Sequence, residues 1–317
     1  MRALTTPSEE IKPLTTKQLF MLLGLSVAYL AASYLLLGFQ QYPLLLVALV
    51  NGMYFMSSVT RRMVTGFSVF IVYGVLYDYM KAFPNYWFNT VHIADLYTAE
   101  KAIFGISIGG NILTPNEFWA LHSHLSLDIA SAFFYLCWVP VPLAFALYLF
   151  FKSSRQFVYF ALTFLLVNLL GFVVYYLFPA APPWYVQEVG FAFDSGTAGN
   201  PAGLGKFDAF FGIAVFSSLY AKGSNVFAAM PSLHAAYPLI VYYYALKNRV
   251  GMMEWVFALI MLGIWFAAIY TSHHYVLDVL AGILCTLFGI KLFNRMITGN
   301  NILSRKVETF ISIINKG

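Results

Sequence analysis

Apolar residues run along this chain in long blocks, separated by short polar segments instead of alternating with them. Blocks near the ~17–25 residues that a membrane-spanning helix needs fall at about 18–39, 42–59, 63–80, 128–151, 155–178, 232–247, 250–270 and 273–293. The second, third and sixth are short. The pattern predicts an all-α integral membrane protein of about eight transmembrane helices, a single polytopic domain over 1–317. Within it, 1–62 supplies extra N-terminal helices and 63–297 a core that includes a long connection at 179–230.

Composition agrees. The chain is 61% hydrophobic and 10% charged, with a mean hydropathy of +0.75, too little polar surface for a soluble globule of this size. The net charge of +5 does not point to nucleic acid, because the basic residues stand in pairs between apolar blocks and form no patch. They mark topology instead. With a cytoplasmic N-terminus, 14 of the 18 basic residues fall on the cytoplasmic side, among them Arg2, Lys12, Arg61, Arg62, Lys152 and Arg155. Lys81, Lys101, Lys206 and Lys222 are left outside, as the positive-inside rule expects. Cys137 and Cys285 lie in apolar blocks and imply no disulfide framework, and residues 1–17 carry no cleavable signal pattern.

Two connections lie on the outer side. The first, about 81–127, mixes Phe83, Tyr86, Trp87, Phe88, Tyr97 and Trp119 with charge, which predicts amphipathic helices at the interface. The second, Pro179 to Met230, exceeds the ~12–15 residues beyond which structureless loops are uncommon. It is expected to be a lid or substrate platform whose glycines and prolines break regular helix and whose aromatics pack on lipid or protein. The tail beyond Thr298 is short and amphipathic.

Ionisable groups placed at the ends of apolar blocks mark a functional site. Two stretches do so, Ala228-Ala229-Met230-Pro231-Ser232-Leu233-His234 and Ser272-His273-His274-Tyr275-Val276-Leu277-Asp278. His274 and Asp278 stand four apart, so on a helix they share a face, and the carboxylate can take one imidazole N–H and leave the other nitrogen free to attack. Pro231 suits a first helical turn, which places His234 near backbone N–H groups able to hold an anion. An oriented histidine, a second histidine as acid or base and phosphate donors amount to a phosphoryl-transfer site that needs no metal and no cofactor. His273 contacts either phosphate or the neighbouring helix, and Ser232 either donates to phosphate or caps the helix. His124 and Asp128 repeat the four-residue spacing without a Pro-Ser-x-His partner, a decoy for catalysis with headgroup contact as its functional alternative. His92 and His122 read as interfacial histidines.

Pro231-Ser232-Leu233-His234 and His274-Tyr275-Val276-Leu277-Asp278 resemble the second and third motifs of the type 2 phosphatidic acid phosphatase superfamily. With Ala181-Pro182-Pro183-Trp184-Tyr185, the run from Gly199 to Gly212, Val226-Phe227-Ala228-Ala229 and His273, the chain looks closest to its aureobasidin-resistance branch, the inositol phosphorylceramide synthases, over roughly 155–293. The resemblance implies a six-helix core of that superfamily. It implies catalysis by His234, His274 and Asp278, with Ser232, His273, Trp184, Tyr185, Lys206, Lys222, His124 and Asp128 as substrate-contact candidates.

The implied reaction moves the headgroup of phosphatidylinositol to ceramide or dihydroceramide and releases diacylglycerol, through a phosphohistidine. Departures bear on the substrate. No Lys or Arg occurs between Arg155 and Lys206, and Ala267-Ala268 stand where the phosphatases carry Ser-Arg. The clamp for a phosphate dianion is missing, which favours a singly charged phosphodiester donor, with Lys206 and Lys222 as substitutes for the lost cations. A lipid phosphatase using water, and synthases with choline or ethanolamine headgroups, keep the same triad. A transporter would instead place ionisable residues at the membrane midplane. With no Asn-x-Ser/Thr sequon and short tails, a bacterial inner membrane with a periplasmic site is expected over a Golgi membrane.

Overall fold

The computed structural model describes residues 15–223 and 225–316. Arg2 and Lys12, part of the topology argument above, lie outside the described residues. The chain forms two compact units, Met1–Ala82 with Arg305–Gly317, and Phe83–Ser304.

In the first unit α1 (Thr16–Leu37), α2 (Gln41–Met56) and α3 (Ser58–Tyr79) follow one another with little loop. Thr15 and Ser57 start α1 and α3 as capping boxes, each accepting the N–H of the residue three further on. Polar stitches join the apolar surfaces. Ser33 and Tyr79 hydroxyls meet at 3.0 Å, and Tyr42 Oη donates to Asp78 Oδ2 at 2.7 Å.

The second unit begins with α4 (Ala94–Phe104), a two-stranded hairpin of β1 (Ile106–Ile108) and β2 (Asn111–Leu113), and α5 (Pro115–Leu121). Short helices therefore form in the connection where amphipathic ones are expected, and the hairpin is an addition to an otherwise helical chain. The apolar block at 128–151 is α6 (Leu125–Leu136) and α7 (Pro140–Lys152), broken where Pro140 and Pro142 open the second piece. Then come α8 (Ser154–Leu177), α9 (Pro183–Glu188), α10 (Gly205–Phe211), α11 (Val215–Tyr220), α12 (Leu233–Asn248), α13 (Met253–Tyr270) and α14 (Val276–Gly299). The last helix, α15 (Asn301–Lys316), runs into the first unit, where Val307, Ile311 and Ile314 are buried on one face and Arg62 Nε donates to Ile314 O at 2.7 Å.

Among the described residues, six helical segments are long and apolar enough to cross a membrane: Thr16–Leu37, Ser58–Ala82, Leu125–Lys152, Ser154–Leu177, Met253–Tyr270 and Val276–Gly299. Within the continuous helices, i→i−4 bonding satisfies the backbone without water, and Leu125–Lys152 is interrupted between α6 and α7. Gln41–Met56 is apolar but shorter. Helix α12 has 16 residues, about 24 Å of rise against a hydrocarbon core of about 30 Å. It is nonetheless the centre of its unit, packed on α13, α14, α8 and α7. Its Tyr237 Oη donates to Asn168 Oδ1 at 2.7 Å, and the Tyr244 and Thr163 hydroxyls meet at 2.8 Å. Such polar links hold helices together where lipid removes the hydrophobic drive.

The connection 179–230 corrects the expectation that its glycines and prolines exclude helix. They act as boundaries, and the runs between them form α9, α10 and α11. Asp208 fixes the last two by accepting the N–H groups of Phe216 at 3.1 Å and Ser217 at 2.8 Å. Those donors hold its carboxyl below the usual carboxylate range against the opposing effect of burial.

Candidate active site

The site forms where the N-termini of α12 and α14 meet the end of α13. Ser232 is the N-cap of α12, its Oγ accepting the Ala235 N–H at 3.3 Å, and it is fully buried. Of the two roles open to it in sequence, it takes the cap. Pro231, expected in the first turn, stands one residue before the cap, joined to Met230 by a cis peptide. His234 is therefore the second residue of the helix, in the turn whose leading N–H groups have no intrahelical partner. Ser232 N–H donates to Asp278 O at 2.9 Å, docking the two helix starts. This approach requires Gly282, where a Cβ would collide with the Ser232 carbonyl.

Helix α13 ends at Tyr270, and Ser272 adopts a left-handed φ of 61°. The turn that follows folds back so that the N–H groups of His273 and His274 both donate to Ala268 O, at 3.1 and 3.0 Å. His274 and Asp278 are consequently not two points on one helix: α14 starts at Val276, and His274 precedes it. The four-residue relationship survives because Tyr275 is the N-cap and Asp278 reaches back, Oδ2 accepting the Tyr275 N–H at 2.8 Å. His274 Nδ1 lies 3.5 Å from the same oxygen. That is ion-pair range but outside hydrogen-bond geometry, leaving His274 Nδ1 and Asp278 Oδ1 without hydrogen-bond partners. On the other edge of the ring, His274 Nε2 lies 2.9 Å from His234 Nδ1. Asp278, His274 and His234 thus form one line, from a fully buried carboxylate to a partly exposed imidazole.

His273 points elsewhere. Its Nδ1 meets Thr271 Oγ1 at 2.9 Å, and its Nε2 has no hydrogen-bond partner. Burial first, then the nearby His274, push its pKa down to about 3, although carbonyls of Thr271 and Asn200 favour the charged form. It is a neutral imidazole packed on Tyr220 and Tyr135, at 4.6 and 5.2 Å between centroids. Tyr135 and Trp138, neither of which sequence reasoning singled out, also wall His234 at 4.9 and 4.4 Å.

The remaining sequence candidates separate from the triad. His124 caps α6, its Nδ1 accepting the Ser126 N–H at 3.3 Å, and it is exposed. Asp128 turns away from it to accept the Tyr270 hydroxyl at 2.7 Å, with Lys206 Nζ at 3.9 Å. The spacing that suggested a pair reflects a helix cap and a tertiary contact. Lys206 is thus placed on Asp128, and Lys222 is exposed on the outer loop; neither is seen against the histidines. Trp184 and Tyr185, expected to offer apolar surface, are buried among Ile93, Ala181 and Phe227. They brace the loop from within. Trp184 N–H donates to Ser272 O at 3.0 Å, and Tyr185 Oη bridges Ala192 O and the Asp194 N–H at 2.7 and 2.8 Å. His92 stacks on Phe178 and pairs with Asp95, and His122 bonds to Phe118 O at 2.8 Å.

Two buried groups of the connection at 81–127 touch the segment from Ile269 to Leu277 and belong to no motif. Glu100 on α4 accepts the Val276 N–H at 2.9 Å and the Leu277 N–H at 3.1 Å. Asn116 on α5 donates to Ile269 O at 2.7 Å and His274 O at 2.9 Å. In sequence the only signal was a carboxylate and an amide in an apolar context.

The sequence model of the PAP2 superfamily matches residues 106–292. The chain is 44% identical over 279 residues to a phosphoinositol dihydroceramide synthase of Bacteroides thetaiotaomicron, covering 85% of this chain and 90% of that protein. It is 27% identical over 266 residues to the inositol phosphorylceramide synthase catalytic subunit aur1 of Schizosaccharomyces pombe, covering 80% of this chain and 60% of the relative. An inositol phosphorylceramide synthase of Candida albicans is 25% identical over 221 residues, 44% of its length. No solved structure matches the chain.

Proposed function

The chain belongs to the PAP2 superfamily, and from that premise we propose that it is an integral membrane phosphoinositol transferase. It moves the headgroup of phosphatidylinositol to ceramide or dihydroceramide and releases diacylglycerol. The observation that carries the chemistry is the 2.9 Å approach of His234 Nδ1 to His274 Nε2, with Asp278 behind the second ring. The name of the Bacteroides relative supports the choice of donor and acceptor.

The phosphodiester takes the place of the hydrogen bond between the two imidazoles. Asp278 holds His274 with Nδ1 protonated, so that Nε2 presents its lone pair to phosphorus. Burial and the two neighbouring histidines hold His234 neutral without substrate, so it takes up its second proton beside the anionic phosphodiester. A P–N bond then forms as the P–O bond to the glyceride breaks, and His234 gives that proton to the departing oxygen. In the second half His234, now neutral, takes the proton of the ceramide hydroxyl while that oxygen bonds to phosphorus and the P–N bond breaks. The groups act in a turn buried against protein, which strengthens each interaction relative to water. Charge placement along the chain supports an outer, periplasmic site.

The test is the fate of the headgroup. Purified protein given phosphatidylinositol should release diacylglycerol quickly with ceramide present and slowly without it, with inositol phosphate appearing on the ceramide. Equal release without ceramide, with all the headgroup in water, would leave a phosphodiesterase or phosphatase in its place.

A further inference from the structure

We propose that Glu100 and Asn116 are positioning residues for the catalytic histidines, so that the first outer connection is a working part of the active site. This rests on the reading of His274 as the nucleophile.

The turn from Tyr270 to Tyr275 is the weak point of the site as built from its own residues. Ser272 sits in the left-handed region, at a φ of 61° that disfavours a non-glycine residue. His273 and His274 share one carbonyl, Ala268 O, as acceptor for two N–H groups. The His274 to Asp278 contact at 3.5 Å is too loose to fix the ring alone. What fixes the backbone comes from outside. Asn116 spreads its two amide hydrogens across the turn, one to Ile269 at the end of α13 and one to the carbonyl of His274 itself. Glu100 places one carboxylate oxygen on each of the first two N–H groups of α14, which otherwise have no intrahelical partner. Both side chains are fully buried. Asp278 is the third residue of that helix, so the same clamp sets the position of the carboxylate behind His274.

A buried carboxylate is a costly way to hold a helix end, and a serine or threonine cap would serve stability. The charge does something a hydroxyl does not. Only an ionised carboxylate offers two full acceptors, one per N–H, and so fixes the direction of the helix start as well as its position. The titratable groups facing Glu100 are Asp278 on α14 and, around Tyr275, Glu117 on α5 and Tyr97 on α4. Burial, and then Asp278, push Glu100 up to about 7, so its ionisation falls in the working range. Protonation removes one acceptor and loosens the first turn of α14.

The experiment compares wild type, Glu100→Gln, Glu100→Asp and Asn116→Leu as full-length purified proteins. It uses phosphatidylinositol and a fluorescent ceramide, with kcat and KM measured from about pH 5.5 to 8.5 and folding followed by thermal melting. Misplacement of reacting groups by a fraction of an ångström to 1 Å should lower kcat of Glu100→Gln and Asn116→Leu between about ten- and a hundredfold, with KM for both lipids within about twofold of wild type. Glu100→Asp should recover part of the loss. Wild-type kcat should rise through about pH 7, and the Glu100→Gln profile should lack that step. A kcat within twofold of wild type in Glu100→Gln overturns the proposal, as does a loss of kcat matched by an equal loss of folded protein. A parallel His274→Ala separates the failures. Transfer surviving in His274→Ala removes the nucleophile reading and this inference with it, whereas a dead His274→Ala beside a normal Glu100→Gln removes only the inference.

Discussion

Nδ1 of His234 and Nε2 of His274 lie 2.9 Å apart, although forty residues of chain and a complete helical hairpin separate them. The closeness is built by backbone, since Ser232 N–H bonds to Asp278 O and Gly282 lets the two helix starts touch. A pair placed this way does not need substrate to assemble it. His274→Ala, His234→Ala and Asp278→Ala should each lower transfer by about a hundredfold or more while the protein still inserts and melts cooperatively. Retention of the wild-type rate by any one of them takes that residue out of the mechanism.

The triad was legible in sequence because its spacing is local. Pro-Ser-x-His and His-x-x-x-Asp sit within single turns, and the apolar blocks around them set their depth. The geometry that makes them work was not legible. Asn116 meets His274 across 158 residues and Glu100 meets Val276 across 176, and no periodicity transmits such a pairing. His124 and Asp128, set aside in sequence as a catalytic decoy, show that the same spacing that orients a catalytic pair also places a cap beside a buried carboxylate. In the outer loop, glycine and proline were read as breakers of helix. Their effect was to bound short helices held by Asp208 and Tyr185, which only tertiary contacts reveal.

Glu100 should make stability depend on pH in a definite direction. Its folded-state pKa is raised from 4.5 to about 7, chiefly by burial. The folded state therefore binds the proton more tightly than the unfolded state. This contribution is fully present below 4.5 and is lost as pH rises through 7, on the order of 3 kcal/mol in all. His273 acts in the opposite sense, because its depressed pKa costs stability as pH falls below 6.5. The clean measurement is the difference between wild type and Glu100→Gln. The melting temperature of wild type should fall by several degrees relative to the variant between about pH 5 and 8. Parallel curves for the two proteins would mean that Glu100 does not titrate in this range.

The charge distribution predicts which side of the membrane holds the site. Cys137 and Cys285 are free and can be replaced. In that background a cysteine at Lys222, exposed on the outer loop, should react with an impermeant thiol reagent added from outside the cell membrane. One at Lys152, equally exposed at the other end of the bundle, should react only after permeabilisation. Arg61 is unsuitable as the inner reporter, because its side chain is buried with Nε donating to Tyr54 O at 3.2 Å. The reverse labelling pattern would put the histidines on the cytoplasmic face.

Transfer to a lipid instead of water demands that the outer loop keep its shape over the histidines. Three contacts hold it there. Gly203 N–H donates to Thr271 O at 3.1 Å, in an approach that a side chain at 203 would block. Trp184 N–H donates to Ser272 O, and the buried Tyr185 hydroxyl links 192 to 194. Tyr185→Phe removes only that hydroxyl and leaves a carbonyl and an N–H unpaired, a cost of about 1–3 kcal/mol confined to the loop. The triad is untouched, so cleavage of phosphatidylinositol should continue at a rate near that of wild type. What should change is the partition of the product, because a loosened loop admits water to the phosphohistidine proposed above. The share of headgroup recovered as free inositol phosphate should rise several-fold at saturating ceramide, and more so in Trp184→Ala with Tyr185→Ala. An unchanged partition with normal cleavage would show that exclusion of water is the work of other residues, and would return this loop to a purely structural role.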